Sequence, residues 1–315
     1  MMRLTQASTT KPGRKQRWKR IVPFYLMVLP GFLYLLINNY IPMFGALLAF
    51  KRLNFAKGFF KSEWCGLENF KFLFLTSDAW EIARNTILYN VAFFIVGTLA
   101  AISLAILLNE VRRKVASKAY QTLILLPYLI SWVVAGYLSY AFLSSETGFL
   151  NNTVLPLLGM QPIQWYQQQK YWPYILVIVN IWKNVGYNMI IYYSSIVGIS
   201  KDYYEAARLD GASKWKQITH ITLPLLKPTV VTLLILNVGQ IFRSDFGLFY
   251  QIPKNSGVLY PVTRTIDVYV YQALMKNSDF GMSSAASLYQ SVICFVLILV
   301  VNKIVRKHQR ESALF

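Results

Sequence analysis

The chain has 315 residues, of which 55% are hydrophobic and only 14% are charged, and its mean hydropathy is +0.39. Soluble domains carry about 25% charged residues, so this composition excludes an ordinary soluble domain and indicates a membrane protein. The net charge of +19 would suggest a nucleic-acid partner in a soluble protein. Here the basic residues cluster at the ends of apolar segments, so we expect membrane lipid as a partner and no nucleic acid.

Six apolar segments are each long enough to cross a bilayer, which takes about 20 residues. The first follows a basic stretch and runs for about 28 residues without a small-residue cleavage site, so it predicts a retained helix and not a signal peptide. The sequence thus predicts an all-α integral membrane protein, with a basic tail at 1–20, a membrane domain at 21–304 and a second tail at 305–315. The six predicted spans lie near 21–49, 82–108, 119–143, 171–198, 223–249 and 283–304.

Lysine and arginine decide which ends of these spans face the cytoplasm. The richer set of loops contains the N-terminal cluster, 112–118, 201–216 and 303–310. We therefore predict a multi-pass protein of the cell membrane with these loops and both termini in the cytoplasm. One basic cluster falls on the opposite side, and it is interpreted as a solvated loop, with an outward-facing functional surface as the alternative; it consists of Lys51, Arg52, Lys57, Lys61 and Lys71.

The predicted outer loops, 51–81 and 144–170, contain many aromatic and apolar residues. Such loops are expected to form short interfacial helices and to offer a surface to a partner.

Residues 200–222 form a polar loop between the fourth and fifth predicted spans. Residues 201–210 favour a helix, Gly211 tolerates positive φ and predicts a sharp turn, and a second short helix is expected over 215–220. One face of the first helix, at i, i+3, i+4 and i+7 spacing, carries Tyr203, Ala206, Ala207 and Asp210. Because alanine lets another backbone approach closely, the loop predicts a docking element. A helix–turn–helix that lies in the membrane interface without a partner is the alternative.

This loop resembles the cytoplasmic EAA loop of the permease subunits of ABC importers, which docks onto the ATPase. The residues that fall where the motif expects them are Glu205, Ala206, Ala207, Asp210, Gly211, Ala212, Leu223, Pro224 and Pro228. Less specific matches to sugar permeases occur at 66–70 and 85–86, and matches to the polysaccharide-permease group occur at 279–286 and 311–315. The resemblance covers nearly the whole chain.

The resemblance implies the type I ABC importer transmembrane fold and the import of an oligosaccharide. Glu205 would pair with a basic residue at the rim of the ATPase groove. Ala206 and Ala207 would form the close-packed face, and Gly211 would make the turn. The implied partners are a second, homologous permease in a heterodimer, two ABC ATPase subunits and an extracellular solute-binding protein.

The chain has no Gly-rich phosphate loop of the G-x-x-x-x-G-K-[ST] type. ATP and Mg²⁺ are therefore expected in the ATPase subunits, and this chain is expected to be a transport subunit with no cofactor and no catalytic residue. Cys65 lies in a loop and Cys294 in an apolar segment, so neither a mutual disulfide nor a metal site is predicted.

Neutral polar residues recur along three predicted spans, interleaved with tyrosine and tryptophan. Amides can hydrogen-bond sugar hydroxyls and aromatic faces can cover pyranose rings, so these stripes favour a sugar pathway; polar contacts between helices are the alternative. Ser244 is expected to share a helix face with the candidates of the fifth span, and Arg243 is expected to meet Asp245 as a gate, a substrate contact or a plain salt bridge. The pathway candidates are Asn180, Lys183, Asn184, Tyr187, Asn188, Asn237, Gln240, Arg243, Asp245, Ser287, Tyr289 and Gln290.

An ion-coupled secondary transporter is the alternative function. It would need carboxylates within the spans, and none lies at a predicted midplane. A membrane-embedded enzyme is disfavoured because no nucleophile–base pair is visible in the spans. The basic residues of the outer loops give a weak indication of uronic-acid sugars.

Overall fold

In the computed structural model, which describes residues 14–72 and 77–308, the chain is built almost entirely from helices. The elements named below are α1 (Arg14–Leu35), β1 (Lys51–Arg52), β2 (Glu63–Trp64), α2 (Ser77–Asn109), α3 (Lys114–Leu129), α4 (Trp132–Leu143), α5 (Trp172–Val197), α6 (Lys201–Leu209), α7 (Leu223–Val238), α8 (Phe246–Gln251), α9 (Ile266–Asn277) and α10 (Phe280–His308). The predicted motif at 311–315 and most of the basic tail at 1–20 lie outside the described residues.

Five helical stretches of the described chain are long and apolar enough to span a membrane, and the number rises to six if one bent pair counts as a span. The prediction of an all-α membrane protein with about six spans is therefore confirmed. The five stretches are Ile21–Phe50, Asp78–Asn109, Gln169–Val197, Lys214–Val238 and Phe280–Lys307.

The predicted span at 119–143 is not one continuous helix. Helix α3 ends at Leu129, α4 begins at Trp132, and the two helices are bent by 95°. Ser131 starts the new helix, because its hydroxyl accepts a hydrogen bond from the backbone N–H of Val134 at 3.3 Å. A capping residue thus interrupts a segment whose hydropathy is continuous.

The predicted span at 223–249 is wrong at both ends. Helix α7 ends at Val238, residues 239–242 form turns, and 243–245 are irregular before α8. Asp245 starts α8 by accepting hydrogen bonds from the backbone N–H groups of Gly247 and Leu248, at 3.0 and 3.4 Å. At the other end, the short helix expected over 215–220 is not separate, because Lys214–Gln217 continues through a π turn into α7.

Three π-helical turns allow helices to pass through prolines. Proline lacks the N–H that an α-helix needs and clashes with the preceding turn, whereas a π turn relaxes the hydrogen-bond ladder locally. Each turn directly precedes a helical segment whose second residue is proline. The turns are Leu36–Tyr40, Leu150–Val154 and Ile218–Thr222, and the prolines are Pro42, Pro156 and Pro224.

Helices α2 and α5 pack along each other at the centre of the bundle. Two apolar clusters line this contact. The first contains Tyr89, Trp172, Leu176, Leu248 and Phe249. The second contains Ala101, Ala105, Met189, Tyr192 and Leu226. In the apolar stretch Ile21–Phe50, in contrast, no residue of the most apolar window is buried within the described chain.

The first outer loop was expected to form short interfacial helices, and it contains a small antiparallel hairpin as well. Strand β1 pairs with β2, and helical turns lie at Gly58–Lys61 and, as a 3₁₀ turn, at Glu68–Phe70. Lys51 is buried and donates hydrogen bonds to the carbonyls of Phe59 and Phe60. The basic cluster predicted as a solvated loop is thus partly structural.

Two further members of this cluster form surface ion pairs, Arg52 with Glu68 at 2.6 Å and Lys57 with Glu63 at 2.7 Å. Hydrogen bonding to Lys57 lowers the pKa of the Glu63 carboxyl below its ordinary value. The second outer loop contains the short helical turns that were expected, Leu150–Val154, Leu155–Leu157, Trp165–Gln167 and Gln169–Tyr171.

Candidate functional site

Helix α6 forms the predicted first helix of the 200–222 loop, and the prediction of its position is confirmed. Ser200 caps it by accepting a hydrogen bond from the backbone N–H of Asp202 at 3.3 Å. Most of its side chains are exposed, and Leu209 is 90% exposed. A short polar helix that buries so little of itself is accessible from outside the chain.

The turn after α6 is a Schellman motif, which explains the glycine. Gly211 has a φ of 75°, and the N–H of Ala212 bonds the carbonyl of Ala207 at 2.8 Å while the N–H of Gly211 bonds that of Arg208 at 3.0 Å. A Cβ at Gly211 would meet nothing within 4 Å. The glycine is therefore needed for its backbone conformation and not for space.

Part of the motif lies on α6 and in the turn directly after it. Glu205, Ala206 and Asp210 are exposed, and Ala207 is half-buried. Within the described chain Glu205 forms no ion pair, so its carboxylate is open to a partner. Leu223, Pro224 and Pro228 do not belong to this part, since they lie in the first turns of α7.

A cleft of about 620 Å³ lies behind α6, between the loop and the ends of α2 and α5. Tyr204 fixes α6 above the cleft through a hydrogen bond between its hydroxyl and that of Thr222, at 2.9 Å. Glu110, which follows α2, joins Lys214 in an ion pair at 2.8 Å. Sequence reasoning missed Glu110, although a charged turn on the same predicted side of the membrane was a usable signal.

Lys183, the candidate lysine of α5, donates its hydrogen bonds to backbone carbonyls at the break between α3 and α4. Lys183 is 6% exposed, and its Nζ donates to the carbonyls of Ile130 at 2.6 Å and Tyr128 at 2.8 Å. Because the last carbonyls of α3 lack helical partners, a buried cation that satisfies them stabilises the break. These contacts give Lys183 a structural role.

The other candidates on α5 remain closer to the surface. Asn180, Asn184 and Asn188 do follow one another at four-residue spacing along this helix, and all three are half-buried. Tyr187 is exposed, and its ring stacks on that of Tyr128 at 4.9 Å between centroids.

The stripe predicted for the fifth span does not form, because α7 ends before Gln240 and Ser244. The predicted meeting of Arg243 and Asp245 is also wrong. Asp245 caps α8 and accepts a hydrogen bond from the indole of Trp132 at 2.8 Å, while Arg243 reaches Ser291 Oγ at 3.5 Å. Asn237, Gln240, Arg243 and Asp245 are nevertheless all exposed.

The candidates on α10 divide into one exposed and two less accessible residues. Ser287 is exposed, and Tyr289 is half-buried with its ring at an edge-to-face angle to Phe242. Gln290 is buried and donates to the carbonyl of Phe242 at 2.7 Å. Asp267, which was not predicted, joins this region by accepting hydrogen bonds from the N–H and hydroxyl of Ser244, at 2.6 and 2.9 Å.

A metal ion in a protein needs several ligand groups close together. Residues 14–72 and 77–308 contain no group of three or more His, Cys, Asp or Glu side chains placed to hold a metal ion. Cys65 and Cys294 are both free thiols.

The chain is similar in sequence to transport proteins of one family. Residues 82–310 match the family described as binding-protein-dependent transport system inner membrane component. The chain is 33% identical to Protein LplB of Bacillus subtilis (strain 168), over 95% of this chain and 92% of that protein. It is also 33% identical to the polygalacturonan/rhamnogalacturonan transport system permease protein YteP of the same organism, over 91% of this chain and 89% of that protein.

Among solved structures, the fold is similar to a chain of a bacterial alginate ABC transporter in complex with an alginate pentasaccharide-bound periplasmic protein. The TM-score is 0.84 at 30% sequence identity, and the match covers 94% of this chain and 98% of that chain.

Proposed function

We propose that this chain, which belongs to the binding-protein-dependent transport family and is the permease subunit of an ABC importer, imports an oligosaccharide. Acidic sugars are the favoured class of substrate. Two similar proteins support the substrate class, since one is named for polygalacturonan and rhamnogalacturonan and the other for alginate, an acidic polysaccharide. Basic residues of the predicted outer loops, among them Lys170, Lys254 and Lys276, would suit an anionic substrate.

The exposed surface of α6 is the observation that carries the coupling mechanism. In this proposal a separate ATPase subunit, which holds ATP and Mg²⁺, receives α6 in a groove and pairs a basic residue with Glu205. The small side chain of Ala206 allows close approach, and the Schellman turn at Gly211 holds α6 at a fixed angle to α7. Closure of the ATPase dimer then pushes α6 and moves the spans as rigid bodies between inward-open and outward-open states.

The proposed assembly contains this permease, a second homologous permease, two ATPase subunits and an extracellular solute-binding protein. Both termini and the 200–222 loop face the cytoplasm, which follows from the lysine and arginine bias of the loops. The membrane domain over 21–304 then lies between two cytoplasmic tails.

Substrate contacts in this proposal come from the exposed pathway candidates. Lys183 and Gln290 are excluded from that set because their donors already serve backbone carbonyls. The exposed set consists of Tyr187, Asn237, Gln240, Arg243, Asp245 and Ser287.

The test uses the full transporter in proteoliposomes, with ATP hydrolysis and sugar uptake measured in parallel. Glu205→Lys replaces an attraction at the ATPase groove with a repulsion, so uptake per ATP hydrolysed should fall strongly. Glu146→Lys makes the same charge change at an exposed position of the second outer loop, and it should leave this ratio unchanged.

Normal coupling in the Glu205→Lys transporter would refute the docking role of α6. Uptake that follows an ion gradient and ignores ATP would refute the importer mechanism and favour a secondary transporter.

A further inference from the structure

A second cleft lies between α4 and the end of α8 with the loop that follows it. Its volume is about 290 Å³, which is near the lower end of ligand pockets in proteins. Gly136 allows its two walls to meet, because a Cβ there would lie 3.0 Å from the carbonyl oxygen of Gln251. Tyr137 lines the cleft beside this contact and is 69% exposed.

The turn at one wall of the cleft has an unusual backbone. Lys254 and Asn255 have φ values of 52° and 50°, a left-handed conformation that asparagine adopts more readily than lysine. The side chain of Asn255 holds the turn, because its Oδ1 accepts hydrogen bonds from Gln272 Nε2 at 2.6 Å and from the Tyr260 hydroxyl at 3.0 Å. The backbone therefore fixes the position of Lys254 at the cleft.

The ammonium of Lys254 lies against two aromatic rings. Its Nζ is 3.4 Å from the centroid of the Tyr140 ring and 5.8 Å from that of Tyr137. Within residues 14–72 and 77–308 it forms no ion pair, so its donors remain open. An exposed cation beside exposed tyrosines is suited to a ligand that combines a carboxylate with a flat apolar face.

We propose that this cleft binds one uronic-acid unit of an incoming oligosaccharide, with the sugar carboxylate on Lys254 and the ring against Tyr137. The proposal rests on the proposed function and makes Lys254 a residue that selects acidic over neutral sugars. Anionic lipid headgroups carry the same charge chemistry, and the test separates the two sources.

The experiment measures uptake by the full transporter in proteoliposomes for tetragalacturonate and for its carboxyl-reduced, neutral form. Lys254→Met should reduce the uptake efficiency for the acidic sugar about tenfold, as expected for the loss of one charge-assisted hydrogen bond. Uptake of the neutral form should stay within about twofold. Lys254→Arg should restore part of the preference for the acid.

Lys170→Met is the matched control. Lys170 is also an exposed lysine over an aromatic ring, 4.7 Å from the centroid of Tyr171, but it does not line the cleft. Its substitution should leave the preference unchanged.

An unchanged preference in Lys254→Met, or an equal loss for both sugars, overturns the proposal. A loss that appears only in vesicles with anionic lipid assigns Lys254 to the lipid and overturns it as well. Import of the neutral form alone by the wild type refutes this site and leaves the importer function intact. Import of neither sugar refutes the proposed function, and the site with it.

Discussion

Lys183 at the break between α3 and α4 is the residue whose removal we expect to matter most for stability. Lys183→Met deletes the ammonium and keeps a similar side-chain length. It leaves the carbonyls of Tyr128 and Ile130, now bonded at 2.8 and 2.6 Å, without a donor. Each buried, unsatisfied carbonyl costs about 1–3 kcal/mol, which gives about 2–6 kcal/mol for the pair. Since the variant also avoids burying a charge, we expect the lower end, about 2 kcal/mol.

The assay is thermal unfolding of the purified permease complex. For larger domains a loss of 1 kcal/mol lowers Tm by about 2–4 °C, so Lys183→Met should lower Tm by about 4–8 °C. Lys183→Arg keeps donors at the same carbonyls and should lose less. Lys303→Met removes an exposed lysine of α10 and serves as the control. A Tm of Lys183→Met within about 1 °C of the wild type would refute the capping role.

Three further substitutions test other parts of the fold. Gly211→Ala places a Cβ at a φ of 75°, which costs about 1–2 kcal/mol, and it should lower uptake per ATP hydrolysed. Gly211→Asn should lower this ratio less, because asparagine tolerates the left-handed conformation. Gly186→Ala places a Cβ 2.2 Å from the carbonyl oxygen of Ile124 and should lower Tm, whereas Gly97→Ala meets nothing within 4 Å and should not. Trp132→Phe removes the donor to the Asp245 carboxylate and should lower Tm by about 2–4 °C, from a loss of about 1 kcal/mol.

The sequence predicted the first helix and the turn of the 200–222 loop because their signals are local. A run of helix-forming residues between Ser200 and Gly211 contains its own start and stop, and the structure places α6 between them. The membrane spans were also predictable in number, because hydropathy over about 20 residues is a property of the segment alone.

The breaks in two spans were missed because hydropathy does not detect capping. Residues 119–143 and 223–249 are apolar throughout most of their length, so a single helix was the natural prediction. Ser131 and Asp245 are both residue types that favour helix starts, and reading them as caps would have located both breaks. The role of Lys183 could not be predicted in this way, since its partners are carbonyls more than 50 residues away along the chain.

Helix α5 links the two regions that the mechanism needs to move together. From Lys183 to its end at Val197 it runs for about 21 Å, at 1.5 Å per residue, and a short connection then leads to α6 at Lys201. Gly186, one turn beyond Lys183, allows the backbones of α5 and α3 to touch. Because such dense packing transmits displacement instead of absorbing it, a push on α6 should move α5 and α3 as a unit. Lys183 holds the break between α3 and α4. We therefore expect the motion to pass from α3 to α4 at this break.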